Sequence, residues 1–232
     1  AGIASGSATA VAATRLDWGA GSSFGYGVST AGDMNGDGFD DVVVGAPTTT
    51  TFTPAEGAAF VYYGSPSGIS KSIVANLLDA FRPIQQAGAN FGVSVASGGD
   101  LNGDGFGDIV VGGDRFDSST GADVGTVWIQ YGRPTISSGG RLLQLSGFGI
   151  TASSGFGRSV AGAGDVDGDG YGDVIVGAPL ADLPTRDGGA AFVYFGNMRG
   201  RAMSIAQRYA DGTTARIVAG GAAIDVDRFV VE

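Results

Sequence analysis

Asp33-Met34-Asn35-Gly36-Asp37-Gly38-Phe39-Asp40-Asp41 returns as Asp100-Leu101-Asn102-Gly103-Asp104-Gly105-Phe106-Gly107-Asp108, and again as Asp165-Val166-Asp167-Gly168-Asp169-Gly170-Tyr171-Gly172-Asp173. The copies stand 67 and then 65 residues apart. Each is an acidic, glycine-bent loop that runs straight into an apolar stretch: Asp41–Gly45, Asp108–Gly112 and Asp173–Gly177. Alignment on the loops brings the rest of the chain into register. Phe24-Gly25, Phe91-Gly92 and Phe156-Gly157 each stand nine residues before the first loop aspartate. Gly45-Ala46-Pro47, Gly112-Gly113-Asp114 and Gly177-Ala178-Pro179 follow the loops at a fixed offset. Gly57–Gly64, Gly125–Gly132 and Gly189–Gly196 come next, rich in aromatic and β-branched residues. A repeat of this length is one supersecondary unit copied three times.

The spacing predicts four short strands per unit. The first covers Tyr26–Ala31, Val93–Ser97 and Arg158–Ala163, and the second is the apolar stretch after the loop. These second strands are unbroken β-branched runs, which predicts burial on both faces. The third covers Ala58–Tyr63 and its equivalents, and the fourth Ser72–Leu77, Arg141–Leu145 and Ala215–Ala219. A helix over Ile73–Phe81 is the alternative there, disfavoured by glycine-rich flanks. Thr9–Thr14 and the Trp18 run read as an extra strand, and Asp227–Val231 as the start of a further unit. The expected fold class is all-β: a β-propeller of four-stranded blades, three full blades plus partial strands at both ends. Its blades span about 24–90, 91–155 and 156–228 of a single domain, 1–232, with 9–23 an extra strand and 229–232 opening another unit. A propeller ring closes with about 4–8 blades. Three therefore imply a longer chain, or copies that complete one another by exchanging end strands.

The loop can be read as a coordination list. Positions 1, 3 and 5 carry Asp33, Asn35, Asp37; Asp100, Asn102, Asp104; and Asp165, Asp167, Asp169. Position 7 offers the backbone carbonyl of Phe39, Phe106 or Tyr171, and position 9 carries Asp41, Asp108 or Asp173. Oxygen ligands alone, alternating around a tight turn, suit a hard cation such as Ca²⁺; Mg²⁺ keeps its waters and fits less well. Gly38, Gly105 and Gly170 permit the bend. This is not an EF-hand, because position 12 holds Val44, Val111 and Val176 where a bidentate glutamate is required. The expectation is three Ca²⁺ sites of structural role. By charge count the third loop, with four aspartates, is expected to bind most tightly.

Composition limits the partners. Charged residues are 16% of the chain and the formal net charge is −10. That excludes the basic footprint that nucleic acid requires and disfavours an acidic membrane surface. No stretch is long and apolar enough for a membrane-spanning helix. The chain has neither cysteine nor histidine, which removes disulfides, the usual zinc ligands and the usual general base. Loop aspartates would be occupied by metal, and glutamates are few, Glu56 and Glu232. No catalytic constellation emerges. The segments after each Gly-Ala-Pro position, Thr48–Glu56, Arg115–Val124 and Leu180–Asp187, differ most between units; variable loops on a fixed scaffold are where binding often lives. Phe24, Phe91 and Phe156 read as core anchors, and Tyr62, Trp128, Tyr131, Tyr194 and Phe195 as packing residues.

The order Phe-Gly, acidic loop, Gly-Ala-Pro resembles the FG-GAP repeat, the blade of the integrin α-subunit β-propeller and of many secreted bacterial proteins. The resemblance covers roughly residues 9–229. It implies Ca²⁺ in the loop joining the first two strands, on one face of the disc, and ligand binding mostly on the opposite face. It also implies an extracellular or cell-surface setting. The second unit departs from the pattern at Gly112-Gly113-Asp114, where a different turn is expected, and three blades fall short of the seven of integrin-type propellers. The expected function is a non-enzymatic adhesion or assembly module whose partner is another protein or further copies of itself. The alternatives are a strand-exchanged ring or filament, or a carbohydrate-binding or accessory domain of a secreted hydrolase.

Overall fold

The computed structural model describes residues 14–70, 75–76, 86–119, 121–134, 142–147, 150, 152–182, 188–198, 205–207, 216–219 and 222–225. All regular structure among them is β, in three antiparallel sheets. The first contains β1 (Val28–Gly32), β2 (Asp41–Ala46), β3 (Ala58–Tyr62) and β4 (Ala75–Asn76), paired in that order. The second repeats the meander with β5 (Phe91–Gly99), β6 (Asp108–Gly113), β7 (Thr126–Gln130) and β8 (Leu142–Leu145). The third has β9 (Ser159–Gly164), β10 (Asp173–Ala178), β11 (Ala190–Tyr194) and β12 (Ile205–Gln207), and continues into β13 (Arg216–Ala219) and β14 (Ala222–Asp225). Second and third strands lie within a residue of the sequence expectation.

The fourth strand of the third unit is a correction. The sequence places it at Ala215–Ala219, but Ile205–Gln207 pairs with β11, and Arg216–Ala219 is the fifth strand, paired with β12. The Arg-Ile-Val-Ala run has the stronger β-propensity, so the sequence pattern points there first. The interval from third to fourth strand in the first two units already pointed to Ile205. The expected strand at Thr9–Thr14 and the stub at Asp227–Val231 lie outside the described residues, apart from Thr14, which is not in a strand. So does most of Ile73–Phe81, of which Ala75–Asn76 is strand.

The core lies between sheets, not within them. Val43, Ala59 and Val61 of the first sheet meet Phe91, Val95, Ile109, Val111 and Trp128 of the second. Val110, Val127 and Ile129 on its other face meet Phe156, Val174, Val176, Phe192 and Tyr194 of the third. β6 is consequently buried along its whole length, as expected of a strand covered on both faces. β10 departs from that expectation: Ile175 is 38% exposed, while its equivalents Val43 and Val110 are fully buried. Among the described residues no sheet follows the third to cover it.

The sheets approach so closely that backbone meets backbone. A Cβ on Gly45 would strike the Gly92 carbonyl oxygen, and one on Gly112 would strike that of Gly157. Phe91 donates its N–H to the Glu56 carbonyl at 2.9 Å, and Phe156 to the Val124 carbonyl at 3.1 Å. Gly57 and Phe91, like Gly125 and Phe156, form isolated parallel bridges between sheets. The Phe-Gly pair therefore anchors the second and third units to the one before. The Gly112-Gly113-Asp114 turn is the same as its Gly-Ala-Pro counterparts, contrary to expectation. Phe116 N–H bonds the Gly113 carbonyl just as Thr49 N–H bonds Ala46 and Ala181 N–H bonds Ala178. Asp114 is buried there, accepts from Asn90 Nδ2 at 3.1 Å and lies 3.9 Å from Arg158 Nε of the following unit.

Replacing Gly45 or Gly112 by alanine should cost at least about 2 kcal/mol of unfolding free energy, the scale of overpacking a core. The same change at Gly177 should cost clearly less, because its Cβ meets only the movable Ser159 hydroxymethyl group. Urea denaturation of the three variants checks the order.

Candidate metal centre

Each acidic loop is the connection from the first to the second strand of a sheet. It leaves the first strand through a bulge, between Thr30 and Gly32 or Ser97 and Gly99, and re-enters at the position-9 aspartate, which opens the second strand. Asp41, Asp108 and Asp173 are completely buried. One oxygen of each accepts the N–H of loop position 2, from Met34, Leu101 or Val166, at 2.7–2.9 Å. The other accepts the N–H that follows the third strand, from Gly64, Gly132 or Gly196, at 2.8–2.9 Å. Position 9 is thus a strut that ties the loop to the third strand.

The position-1 carboxylate organises the turn itself. Asp33 Oδ1 accepts the N–H groups of Gly36 and Asp37, and Oδ2 that of Gly38. Asp100 and Asp165 make the same three bonds in their loops. The position-5 aspartates each accept the N–H of position 7: Phe39, Phe106 or Tyr171. Asn35 and Asn102 also donate Nδ2 to the position-5 carboxylate, at 2.9 and 3.0 Å. Gly38, Gly105 and Gly170 have φ between +85° and +92°, the conformation that the bend demands.

In the third loop, carboxylate oxygens of Asp165, Asp167 and Asp173 lie within 4.8 Å of one another. Oxygens that far apart can share one Ca²⁺ at 2.3–2.6 Å, and each carboxylate keeps lone pairs beyond those its N–H donors use. The donor set, all oxygen and mostly anionic, therefore fits a hard cation. The electrostatics point the same way. Burial pushes the Asp108 carboxyl up to about 7, opposed by the Gly132 and Leu101 N–H groups and helped by the charges of Asp104 and Asp100. Burial also raises Asp41, against its bonds from Gly64 and Met34. Asp167 is raised by desolvation and by the charge of Asp169, with Asp173 and Asp165 adding to it. A cation beside these groups would favour their charged forms.

Two features escaped the sequence reading. The loops are bonded to their neighbours: Gly107 N–H donates to the Asp33 carbonyl at 2.8 Å and Gly172 N–H to the Asp100 carbonyl at 2.9 Å. Arg133 N–H reaches the Met34 carbonyl at 2.6 Å and Asn197 N–H the Leu101 carbonyl at 3.0 Å. At the opposite end of the strands, Glu56 is buried and its carboxylate gathers the N–H groups of Thr51, Phe52 and Thr53 and the Thr53 hydroxyl. One of the variable loops is therefore held in a fixed shape, with Phe52 exposed on it. A lone glutamate among threonines carries no signal of this in the sequence. Of the expected core anchors, Phe91 and Phe156 are buried, and Phe24 is partly buried against the first cluster.

The FG-GAP repeat model matches residues 24–62, 91–129 and 156–194, together half of the chain. Integrin alpha-4 of Xenopus laevis is 37% identical over 167 residues, which cover 70% of this chain and 15% of that protein. Integrin alpha-7 of Homo sapiens is 37% identical over 169 residues, 69% of this chain and 12% of the relative. Integrin alpha-PS2 of Drosophila melanogaster is 30% identical over 169 residues, 68% of this chain and 12% of the relative. The chain thus matches only a small part of the length of these relatives.

Asp108→Ala leaves two buried N–H groups without acceptors and should cost about 2–4 kcal/mol, with or without chelator. Asp104→Ala, on the exposed rim of the same loop, should lose stability mainly in calcium-containing buffer. Urea titrations in calcium and in EGTA distinguish the strut from the rim; equal losses in EGTA would remove the strut role.

Proposed function

Because this chain belongs to the FG-GAP repeat family, we propose that it is a non-enzymatic, calcium-stabilised β-propeller module that works outside the cell in adhesion or protein–protein assembly. The three loops each take one Ca²⁺ in this reading. The ligands are Asp33, Asn35, Asp37, Asp41 and the Phe39 carbonyl; Asp100, Asn102, Asp104, Asp108 and the Phe106 carbonyl; and Asp165, Asp167, Asp169, Asp173 and the Tyr171 carbonyl. The convergence of Asp165, Asp167 and Asp173 oxygens carries the proposal. The cation neutralises carboxylates that burial and mutual repulsion disfavour, and so holds the turn closed.

The partner surface in this reading is the opposite end of the sheets. Antiparallel pairing sends the metal loops out at one end of each second strand and the loops after Ala46, Gly113 and Ala178 out at the other. The Thr48–Glu56 loop, fixed by its buried glutamate, presents an exposed aromatic ring at low ordering cost, which suits a protein contact. A carbohydrate is the alternative occupant, and a glycan array separates the two.

A second reading, assembly through the end faces, is favoured by a specific pattern of exposure. Val28 is 69% exposed, whereas its equivalent Val95, covered by the preceding sheet, is 9% exposed. Ile175 is the matching apolar residue left open at the other end. The two faces carry the complementary halves of the interface that joins the interior sheets, so each accepts a further FG-GAP blade, from a longer chain or a second copy. A head-to-tail contact of this kind makes rings or filaments.

Chelation with EGTA should lower the thermal midpoint, and excess Ca²⁺ should restore it, because a ligand bound only by the folded state stabilises it by mass action. An unchanged midpoint would end the calcium reading. Sedimentation velocity should show association that rises with concentration and is lost in Ile175→Asp. A monomer at all concentrations would exclude assembly between copies of this chain.

A further inference from the structure

We propose that a metal loop with a blade after it, as the first and second loops have here, is a site shared by two blades. The loop supplies the ligands, and the following blade supplies the cover that fixes them, so that calcium fastens one blade to the next. This rests on the calcium reading above and adds to it a direction and a set of residues.

The cover has two parts. The first is an aromatic ring. Phe106, at position 7 of the second loop, lies over Gly36 of the first, where a Cβ would come within 2.6 Å of its Cε1. Tyr171 of the third loop lies over Gly103 of the second in the same way. Position 4 is not an incidental place for a ring to rest. The Gly36 N–H donates to Asp33 Oδ1 and the Gly103 N–H to Asp100 Oδ1, both at 2.7 Å, and both carboxylates are position-1 ligands in this reading. The second part is the pair of backbone bonds from the following blade. Gly107 and Arg133 bond the carbonyls of Asp33 and Met34, and Gly172 and Asn197 bond those of Asp100 and Leu101. Ring and bonds together pin loop positions 1 to 4 from outside the loop.

The third loop has the ligands without the cover. No atom lies within 4 Å of where a Cβ would stand on Gly168, although its φ of +77° matches the +76° of Gly36. Val166 is 55% exposed, whereas Met34 and Leu101 at the same loop position are fully buried. Among the described residues no following blade supplies a ring or a backbone bond. At the other end of the series, the ring of Phe39 is exposed. The aromatic residue at position 7 therefore serves the loop of the preceding blade. Charge alone ranks the third loop as the tightest site; preorganisation ranks it as the weakest, because an unpinned loop must be ordered at the moment of binding. Cation binding in the first two loops and docking of the next blade then reinforce each other reciprocally.

The test uses the full chain and calcium alone. One background carries Asp104→Ala and Asp169→Ala, which leaves the first loop; another carries Asp37→Ala and Asp104→Ala, which leaves the third. Isothermal titration should give a lower calcium Kd for the first loop than for the third. In the first-loop background, Phe106→Ala should raise the Kd at least about fivefold, the lower end of typical coupling between sites. A Kd unaffected by Phe106→Ala, or a third loop tighter than the first, would overturn the shared site while leaving calcium binding intact. Absence of calcium binding in the wild type would instead overturn the calcium reading itself. If Phe106→Ala does not fold by circular dichroism, Gly36→Ala and Gly168→Ala, each in its own single-loop background, carry equal backbone strain. Only Gly36→Ala meets a ring, so its Kd should rise more, and equal rises would refute the cover.

Discussion

The Gly92 carbonyl faces the bare Cα of Gly45, and the Gly157 carbonyl faces that of Gly112. The rest of the structure depends on this approach of one sheet's backbone to the next. A side chain at either glycine would hold the sheets apart and open the layer of valine, alanine and aromatic residues between them. Interiors are packed to crystal-like density, so even a methyl group in the wrong place is felt. The Phe-Gly pair completes the contact. Phe91 and Phe156 bury their rings and donate their N–H groups to the preceding sheet. Within a unit the same pair bonds its own second strand, as Gly25 and Gly157 N–H do to the carbonyls of Gly45 and Gly177. One dipeptide thus sets both the pairing inside a blade and the distance to its neighbour.

The acidic loops sit at the other end of these strands and extend the same logic. A buried aspartate ties each loop to the third strand of its own blade, through Gly64, Gly132 or Gly196. Backbone bonds tie the first two loops to the blade that follows. Carboxylates are gathered where burial opposes their charge, most plainly at Asp108. A hard cation, in the proposed function, offsets that conflict by favouring the charged carboxylates. In the proposed function the loops hold one end of the stack while the loops at the other end are free to vary. Glu56 shows that such variation can still be rigid, since four donors close on one carboxylate.

Much of this was legible in the chain. Three copies of one spacing located second and third strands almost to the residue, because β-branched runs between glycines have few other readings. The three acidic loops between first and second strands were legible for the same reason. The fourth strand of the third unit was not, since Ile205–Gln207 is short and a stronger run lies just beyond it. The persistence of the turn at Gly112-Gly113-Asp114 was also hidden, because its proline is replaced by a buried aspartate whose partners, Asn90 and Arg158, are distant in sequence.

The sequence by itself determined the repeat, the all-β class, the family and the place of the acidic loops. All of these follow from local chemistry: alternation, turn residues and ligand spacing within some forty residues. The tertiary structure decided which residues act between units. It made Phe106 the cover of Gly36, turned the position-9 aspartates into struts, and left Val28 and Ile175 open while burying Val95 and Val110. The physical reason is that a repeat prints the same letters in every copy. Whether a copy has a neighbour on each side is a property of the stack, and only the packed sheets reveal it.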